Sequence, residues 1–236
     1  MNIKILFLLF LITCRAHAEI NQQQLEADCN KIKNFATSGD KFYKLKQYTK
    51  ARNEYELQVA WSESCQLDDD KIDGAYNNVA LTYVHQKNFL KANAWLNISP
   101  TNEKSTFNQN RFKNQMQFAN KKVSITHEGR YWRYSGKSNW NEIDIKKVRQ
   151  KYRFDFFGSY NGLMSMYFGP NTGEFSTSLN IKNGKAHYIM SDEDDLLDCI
   201  YDFVFDKNIL VVKLVSGYQC GYGHNVSADG TYYKIE

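Results

Sequence analysis

The residues of this chain whose type and spacing best suit a chemical role are its five cysteines: Cys14, Cys29, Cys65, Cys199 and Cys220. Cys14 lies in an apolar N-terminal segment, and the other four divide into one pair in each half of the chain. Cys14 lies in a segment that, as described next, is predicted to be a cleaved signal peptide, so the exported chain has four cysteines. An even number of cysteines in an exported chain is typical of disulfides. Four cysteines allow three pairings, and their order along the chain favours Cys29–Cys65 and Cys199–Cys220. Four buried free thiols are the alternative.

The N-terminal residues predict export. Asn2 and Lys4 precede an apolar run over residues 5–12, and a small-x-small cleavage site ends at Ala18. This order is that of a secretory signal peptide, which we assign to residues 1–18. The eight residues of the run are too few to span a bilayer, which needs about 20. We therefore expect an exported protein, with the periplasm as the favoured location and secretion as an alternative.

A lipid anchor is a second alternative for the same segment. The residues Leu11-Ile12-Thr13-Cys14 loosely resemble a bacterial lipobox, in which the cysteine carries the lipid. Attachment through Cys14 is the one route by which we expect this protein to contact a membrane.

The charge balance argues against a nucleic-acid partner. The chain has 30 basic and 26 acidic residues, and removal of Lys4 and Arg15 with the signal peptide leaves 28 basic residues against 26 acidic ones. A nucleic-acid-binding protein normally presents a strongly basic face. We therefore expect no nucleic acid among the partners.

Motifs that mark catalytic or metal sites are absent from the sequence. It contains no HExxH, CxxC, GxSxG, P-loop or GxGxxG pattern. The histidines of the exported chain are scattered along it: His85, His127, His187 and His224. His224, within GYGHN, is the most suggestive, and a polar loop residue is the favoured interpretation. We predict that the protein is not an enzyme and needs no metal or organic cofactor. A hydrolase using two carboxylates from separate strands is the least favoured alternative.

The segment SDEDDLLDC concentrates acidic side chains, which are Asp192, Glu193, Asp194, Asp195 and Asp198. Oxygen ligands of this kind bind calcium, but the segment lacks the alternation and the glycine of a calcium loop. We expect a solvated connection between strands. An alternative is that these carboxylates dock on a basic enzyme cleft, where opposite charge steers association.

Residues 20–120 have a helical pattern. Glycine and proline are almost missing, since only Gly39, Gly74 and Pro100 occur, and apolar residues recur at helical spacing. Two copies of a weak repeat share the offsets 4, 3, 6, 3 and 4. The first copy is Phe35, Gly39, Phe42, Tyr48, Ala51 and Tyr55, and the second is Tyr76, Ala80, Tyr83, Phe89, Ala92 and Leu96.

This order of large, small and aromatic residues resembles the tetratricopeptide repeat over residues 32–100, with copies 41 residues apart instead of about 34. The resemblance implies antiparallel helical hairpins, in which the small residues let two helices approach closely. Cys29 and Cys65 then lie at neighbouring ends of the first hairpin, as a disulfide requires. Residues 106–122 are expected to add a capping helix. Its inward side chains are predicted to be Phe107, Met116 and Phe118.

The resemblance also implies where a partner binds. In the family, the first helix of each hairpin lines a concave face, and the second such helix of this chain runs through GAYNNVALTYVHQK. The positions left off its packing face are Asn77, Asn78, Thr82 and His85. We predict these four as partner-binding residues, with ordinary exposed helix positions as the alternative.

After residue 128 the period changes to two, which is typical of strands. Turn signals predict three hairpins, at Asn161-Gly162, Asn183-Gly184 and Lys207-Asn208. Eight or nine strands in about 108 residues predict an antiparallel meander forming a small barrel or sandwich. The predicted fold class is therefore α+β with two domains. The helical domain covers residues 19–121, a linker covers 122–128, and the β domain covers 129–236.

The last residues, YQCGYGHNVSADGTYYKIE, contain the second cysteine of the C-terminal pair. In an ideal hairpin around Lys207-Asn208, Cys199 faces Ser216, and Cys220 lies four residues further on. That position is too far for a disulfide, whose Cα atoms come within about 7 Å. The chain must therefore turn back over its own strand. Glycines give the backbone freedom for this turn, and they are Gly217, Gly221 and Gly223.

These features predict an exported, non-catalytic protein-binding protein of the bacterial cell envelope. It uses a tetratricopeptide-like groove and a disulfide-clasped β domain, and its expected partner is a protein of the cell envelope. The alternative is an inhibitor or immunity factor for a cell-envelope enzyme, either lysozyme-like or a toxin. That alternative arises because the β half is similar in architecture to the small exported β-barrels that inhibit lysozymes.

Overall fold

The computed structural model describes residues 22–191 and 196–236. The predicted signal peptide, Cys14 and the acidic residues 192–195 lie outside the described residues. Within them, seven helices are followed by eight strands, with one further short helix between two of the strands. The predicted α+β fold, with a helical region before a β region, is confirmed.

The helical region is built from antiparallel helical hairpins. Its helices are α1 (Gln22–Cys29), α2 (Ile32–Lys44), α3 (Tyr48–Ser64), α4 (Asp69–His85), α5 (Phe89–Leu96), α6 (Glu103–Arg111) and α7 (Lys113–Val123). Connections of only three residues join α2 to α3 and α4 to α5. Connections this short make the two helices of each pair run antiparallel.

The small residues of the sequence repeat mark the places where these helices approach most closely. Ala51, Ala80 and Ala92 have no exposed surface. A Cβ atom at Gly39 would overlap the ring of Tyr55 on the facing helix. Glycine at this position therefore allows α2 and α3 to pack as they do, and the predicted close packing at small residues is confirmed.

The end of the helical region differs from the predicted single capping helix. Residues 106–122 are divided between α6 and α7, and the backbone at Phe112 between them is not helical. Met116 is buried as predicted. The side chains of Phe107 and Phe118 are 63% and 74% exposed, so their predicted inward placement is wrong. Met116 and Phe118 are two positions apart on α7, about 200° around the helix axis, so the burial of Met116 turns Phe118 towards solvent.

The β region is a nearly closed barrel of antiparallel strands. The strands are β1 (Gly129–Gly136), β2 (Asn139–Val148), β3 (Lys151–Tyr160), β4 (Asn171–Leu179), β5 (Lys185–Ile189), β6 (Ile200–Asp206), β7 (Ile209–Ser216) and β8 (Gly230–Lys234), and the short helix α8 (Ser165–Phe168) lies between β3 and β4. Their order in the sheet is β4-β3-β2-β1-β8-β7-β6-β5. Two four-stranded meanders therefore meet where β1 pairs with β8. Large side chains fill the interior, among them Tyr131, Phe154, Phe156, Tyr201, Phe203 and Tyr232.

One of the three predicted hairpins forms between paired strands, and a second forms only as a turn with a single bridge between Lys182 and Lys185. Lys207-Asn208 joins β6 directly to β7, as predicted. Asn183 and Gly184 both have positive φ, as an Asn-Gly turn requires. The strands on either side of that turn, β4 and β5, pair with β3 and β6 and not with each other. The turn at Asn183-Gly184 therefore reverses the chain between β4 and β5, although these two strands do not pair with each other.

The hairpin predicted at Asn161-Gly162 is wrong. The connection between the paired strands β3 and β4 is ten residues long, 161–170, and contains α8. The Lys137 ammonium, from the turn between β1 and β2, donates a hydrogen bond to the Gly162 carbonyl. A contact with a distant turn thus holds this segment in a conformation that its local sequence does not indicate.

Both predicted disulfides form, and they indicate an oxidising environment. The Cα atoms are 5.9 Å apart in Cys29–Cys65 and 5.2 Å apart in Cys199–Cys220. Cys29 is the last residue of α1, and Cys65 directly follows α3. The first bridge therefore ties the start of the helical region to the far end of its first hairpin.

The strand register at the second disulfide differs from the ideal hairpin. Ile200, and not Cys199, faces Ser216, because a bulge adds one residue to β7. The chain then turns back towards β6, with positive φ at Gly217 and Gly221. This conformation favours glycine and brings Cys220 to Cys199, as predicted.

The helical and β regions share an aromatic interface. Trp95 of α5 is 1% exposed. Its ring centroid lies 5.8 Å from that of Tyr134 in β1 and 5.3 Å from that of Trp140 in β2. Tyr134 and Trp140 pack against the core of the helical region. The two regions are thus joined by side-chain packing as well as by the chain.

Glu63 is the polar centre of this interface. One of its carboxylate oxygens, Oε1, accepts hydrogen bonds from the hydroxyls of Tyr76 and Tyr134. The other, Oε2, accepts from the backbone amide of Lys137 at 2.6 Å. Burial, followed by the charge of Glu63, raises the pKa of Tyr134 well above its ordinary value. Its hydroxyl therefore remains a donor to the carboxylate.

We expect Glu63→Gln to lower the free energy of unfolding by about 1–3 kcal/mol. The amide of glutamine has one acceptor oxygen, so either the tyrosine hydroxyls or the Lys137 amide would face an NH₂ group and lose its acceptor. Urea denaturation followed by circular dichroism measures the change. Glu54→Gln, at a half-buried position of the same helix, is the matched control. Equal midpoints for the two variants would contradict this role of Glu63.

Candidate functional site

The helical region contains a groove of about 1210 Å³. The helices α2, α4 and α6 form its walls, and α3 contributes to its floor. The wall residues include Ile32, Lys33 and Ala36 from α2, Gly74, Asn77, Asn78 and Leu81 from α4, and Lys104, Phe107 and Asn108 from α6. Gln58 and Ser62 are the contribution of α3.

Asn77 lines the groove, but its side chain is not free to bind a partner. It is 3% exposed. Its Nδ2 atom donates to the Asp73 carbonyl at 2.9 Å and to the Ser105 hydroxyl at 3.0 Å, and its Oδ1 atom accepts from Asn108 at 2.8 Å. The prediction that Asn77 lies off the packing face is therefore wrong. The residue holds α6 against α4 and so positions two walls of the groove.

The other three predicted binding residues of α4 have different surroundings. Thr82 has no exposed surface, and its hydroxyl donates to the Val79 carbonyl, so its predicted position off the packing face is also wrong. Asn78 is half-buried and lines the groove. His85 is exposed and stacks on Tyr48 with ring centroids 4.7 Å apart, and it does not line the groove. Asn78 therefore remains the predicted residue best placed to meet a partner.

The floor of the groove contains two buried polar atoms without a hydrogen-bond partner among the described residues. They are Gln58 Oε1 and Ser62 Oγ. Ser62 is only 1% exposed. Neither residue is among those predicted from the sequence to bind a partner. The available signal was a polar pair one helical turn apart, beside the apolar residues Val59 and Ala60 of the same helix.

The rim of the groove carries charges of both signs. Lys71 is paired with Asp68 at 2.8 Å. Lys33, Lys104, Asp70 and Glu103 also line the groove. The rim of the groove therefore carries charges of both signs, whereas the floor of the groove, formed by Gln58 and Ser62, is neutral. The exposed ring of Phe107 adds an apolar contact surface beside Lys104.

Gly74 gives the groove additional width on the α4 wall. A Cβ atom at this position would lie 3.5 Å from the Lys104 ammonium, which is an ordinary contact with the mobile end of a long side chain. Nothing else described comes within 4 Å. A side chain at residue 74 would therefore project into the groove without disturbing the core.

The Cys29–Cys65 disulfide lies at one end of the groove, where Cys29 lines the wall. The neighbouring Asp28 accepts hydrogen bonds from Lys31 at 2.7 Å, from Gln24 at 3.0 Å and from the Tyr167 hydroxyl of α8 at 2.8 Å. These bonds, the one from Lys31 first, lower the pKa of Asp28 to about 2. The ionised carboxylate therefore links this end of the groove to the β region.

The four histidines among the described residues lie on separate helices, strands and loops. His187 of β5 pairs with Asp202 of β6 at 2.7 Å on the surface of the barrel. His127 packs on Phe205, and burial lowers its pKa. His224 is exposed in the loop before β8. Among residues 22–191 and 196–236, no three His, Cys, Asp or Glu side chains gather where they could hold a metal ion.

The carboxylate of Asp198 has a structural partner. Its Oδ1 atom accepts hydrogen bonds from the backbone amides of Tyr218 at 2.9 Å and of Gln219 at 2.7 Å. It thereby fixes the turn that brings Cys220 to Cys199. The other predicted acidic residues, 192–195, lie outside the described part of the chain.

Comparison with known proteins does not assign a role to the groove. No protein-family model, curated protein or solved structure matches this chain. Within the described residues, no helix has both the length and the apolar composition needed to cross a membrane. The function is therefore inferred from the geometry and chemistry of the groove.

Proposed function

We propose that this chain is an exported, non-catalytic protein-binding protein of the bacterial cell envelope, which holds a segment of a partner protein in the groove of its helical region. The observation that carries the proposal is the groove itself. Its volume of about 1210 Å³ exceeds the roughly 300–1,000 Å³ of an ordinary small-molecule pocket. Its walls combine amides, apolar side chains and charges of both signs, which suits a polypeptide segment.

The resemblance to the tetratricopeptide repeat supports this use of the groove. In that family the first helix of each hairpin lines the concave face. The helices α2 and α4 hold this position in the two sequence copies, and both line the groove together with α6. Of the four residues predicted from the repeat, Asn77 and Asn78 line the groove, and Asn78 is the less buried of the two.

Export is supported by the predicted signal peptide and by the two disulfides. Disulfides persist in oxidising compartments such as the bacterial periplasm. The cell envelope is therefore where a partner is expected, with the periplasm favoured over secretion or a lipid anchor at Cys14.

We expect Gly74→Phe to weaken partner binding by about a hundredfold or more, or roughly 2.7 kcal/mol. The ring would occupy the groove, because a Cβ atom at this position projects into it. The matched control is Gly74→Ala, which adds one methyl group. Alanine should preserve binding and stabilise α4 by about 0.5–1 kcal/mol.

The test uses the wild-type protein to capture partners from a cell-envelope extract, followed by calorimetry of each purified pair. Thermal denaturation confirms that Gly74→Phe is folded. If a captured partner binds wild type, Gly74→Ala and folded Gly74→Phe with equal affinity, the groove is not its binding surface and the proposal fails.

An inhibitor or immunity factor is the second candidate function, and one observation favours it. Three large exposed apolar side chains lie on chain segments next to the Cys199–Cys220 disulfide: Ile189, which pairs with Ile200; Val215, at the bulge opposite Ile200 and Tyr201; and Tyr218, two residues before Cys220. Exposed apolar side chains close together on one surface favour a protein-interaction site. A partner whose affinity falls when these residues are substituted, and is unchanged by Gly74→Phe, would indicate inhibition through the barrel.

A further inference from the structure

We propose that the seam between β4 and β5 is a second protein-binding site, in which an extended, acidic segment of a partner protein pairs with the backbone of both strands. β4 and β5 are the two end strands of the sheet and do not pair with each other. The seam lies on the barrel, so its use as a binding site is independent of the groove on the helical region.

The edge of β4 that faces the seam has unpaired main-chain groups. The Thr172 carbonyl accepts a hydrogen bond from the Gly223 amide at 2.9 Å, so it points away from β3. Alternate residues of a paired strand direct their N–H and C=O groups to the same side, and the register of β4 with β3 is uninterrupted. Three further residues therefore direct these groups into the seam, without a main-chain partner there among the described residues: Glu174, Ser176 and Ser178.

The edge of β5 across the seam is open in the same way. The Met190 amide, one residue beyond β5, donates to the Cys199 carbonyl on the β6 side at 2.9 Å. The register of β5 with β6 is uninterrupted, so the even-numbered residues of β5 direct their main-chain groups towards β6. The odd-numbered residues His187 and Ile189 direct theirs into the seam, where the described part of the chain offers them no main-chain partner.

A cavity of about 530 Å³ opens at the seam. Ser178 of β4 and His187 of β5 line its two sides, and the core residue Ala186 also lines it. Behind the seam, the rings of Phe175 and Tyr188 pack across the interior with centroids 5.1 Å apart. A segment in the seam would therefore lie over a filled core, with the open edges of both strands beside it.

One end of the seam already holds a main-chain segment of this protein. Besides the bond between Gly223 and Thr172, the Asn171 side chain donates to the His224 carbonyl at 3.0 Å. A Cβ atom at Gly223 would lie only 2.9 Å from the Thr172 oxygen, so glycine permits this close approach. The edge of β4 thus accepts backbone pairing at Thr172, and the three open residues that follow have the same orientation.

An extended polypeptide is the ligand that such a seam selects. Only a strand presents N–H and C=O groups to one side at intervals of about 6.6–6.8 Å, and strand addition to an open edge is a common mode of peptide recognition. A strand of about five residues directs the main-chain groups of alternate residues to opposite sides, three to one side and two to the other. These numbers match the three open residues of β4 and the two of β5.

The charge at the closed end of the seam favours an acidic segment. Lys182 and Lys185 pair with each other through their backbones there, and their exposed side chains line the cavity. Asp202, a carboxylate beside them, is already paired with His187 at 2.7 Å. An aspartate or glutamate in the segment would complement the two lysines, whereas the same edge of a second copy would bring further lysines.

The probe is a set of short linear peptides from a displayed random library, selected on the full wild-type protein. Peptides that bind Gly74→Phe with unchanged affinity are kept, because they do not use the groove. Ser178→Pro removes one open N–H of β4, a change that edge strands tolerate. We expect it to weaken the kept peptides by about tenfold or more, since one hydrogen bond is lost and the ring obstructs the seam. The matched control Ser178→Ala keeps the N–H and should bind as wild type does.

A second variant tests the charge. The double substitution Lys182→Gln, Lys185→Gln should weaken peptides that contain aspartate or glutamate by about three- to tenfold, since the charge pairing is lost.

Amide hydrogen exchange, measured residue by residue, tests the pairing in the unaltered protein. A bound peptide should slow the exchange of the five open amides by about tenfold or more, since a hydrogen-bonded amide exchanges only when its bond opens. The amides of Phe175 and Tyr188, which face β3 and β6, should change much less.

Kept peptides that bind Ser178→Pro as tightly as wild type, or that leave the exchange of the five amides unchanged, would overturn strand insertion. Equal affinity for wild type and the double lysine variant would overturn the acidic partner. A library without peptides insensitive to Gly74→Phe would also count against the seam. A wild-type dimer that Ser178→Pro dissociates would identify a second copy as the occupant instead. None of these results bears on the groove, whose ligands are recognised by their sensitivity to Gly74→Phe.

Discussion

Trp95→Ala is expected to lower the free energy of unfolding by about 3–5 kcal/mol, the range measured when large buried aromatic side chains are truncated. The indole is 1% exposed and contacts rings from both regions. Truncation would therefore leave a cavity at the junction of α5 with β1 and β2. Urea denaturation followed by circular dichroism measures the loss.

Trp95→Phe is the matched control for this prediction. Trp95 Nε1 is buried without a hydrogen-bond partner among the described residues, so phenylalanine removes no hydrogen bond. The smaller ring should cost about 1 kcal/mol, because only a small cavity remains. If alanine and phenylalanine at position 95 gave the same midpoint, the interface would not depend on the packing of this side chain.

Loss of the Cys199–Cys220 disulfide is expected to cost about 3 kcal/mol. The bridge closes a loop of 21 residues, and the entropy of closing a loop of that length corresponds to roughly this value. Cys199 is completely buried, and Cys220 accepts a hydrogen bond from the Tyr201 hydroxyl at 3.1 Å. The double variant Cys199→Ala, Cys220→Ala should therefore unfold its β region at a clearly lower temperature.

Reduction of the wild type gives the control for the disulfide prediction. Dithiothreitol removes both bridges from the wild type but only Cys29–Cys65 from the double variant. The reduced proteins should therefore have nearly the same melting temperature, while the oxidised ones differ. An oxidised double variant that melts like the oxidised wild type would show that the bridge does not stabilise the barrel.

The features that sequence predicted correctly are those with a local physical cause. Ala51, Ala80 and Ala92 recur where helices approach, because a larger side chain would separate the backbones at those points. Lys207-Asn208 joins two strands of alternating pattern and forms its turn as predicted. The cysteine pairs followed from chain order and from the predicted hairpin geometry.

Two of the wrong predictions, the binding face of α4 and the Asn161-Gly162 hairpin, have a different cause, which is contact between distant parts of the chain. The prediction for α4 assumed that a single face of this helix packs against the core. The helix instead packs against neighbours on several sides and has nine buried residues, including Asn77 and Thr82. Asn161-Gly162 has the composition of a tight turn, yet contacts of Lys137 and Tyr167 hold the segment after it in another conformation.

The groove floor and the interface centre could not be found from the sequence for the same reason. Gln58 and Ser62 become a pair of unpartnered polar atoms only when α2, α4 and α6 close around them. Glu63 acquires its role from Tyr134, which lies 71 positions away along the chain. Neither arrangement has a sequence spacing that would reveal it.

Site-specific photo-crosslinking in cell-envelope extracts tests the central claim most directly, because it reports which surface touches a partner. A photoreactive phenylalanine analogue is placed at Leu81 in the groove and, in a second protein, at Val211 on the outside of the barrel. The groove model predicts a discrete crosslinked partner from position 81 that disappears when Gly74→Phe is added, and none from position 211. A partner crosslinked from position 211 and insensitive to Gly74→Phe, with no product from position 81, would contradict the claim that the groove is the binding surface.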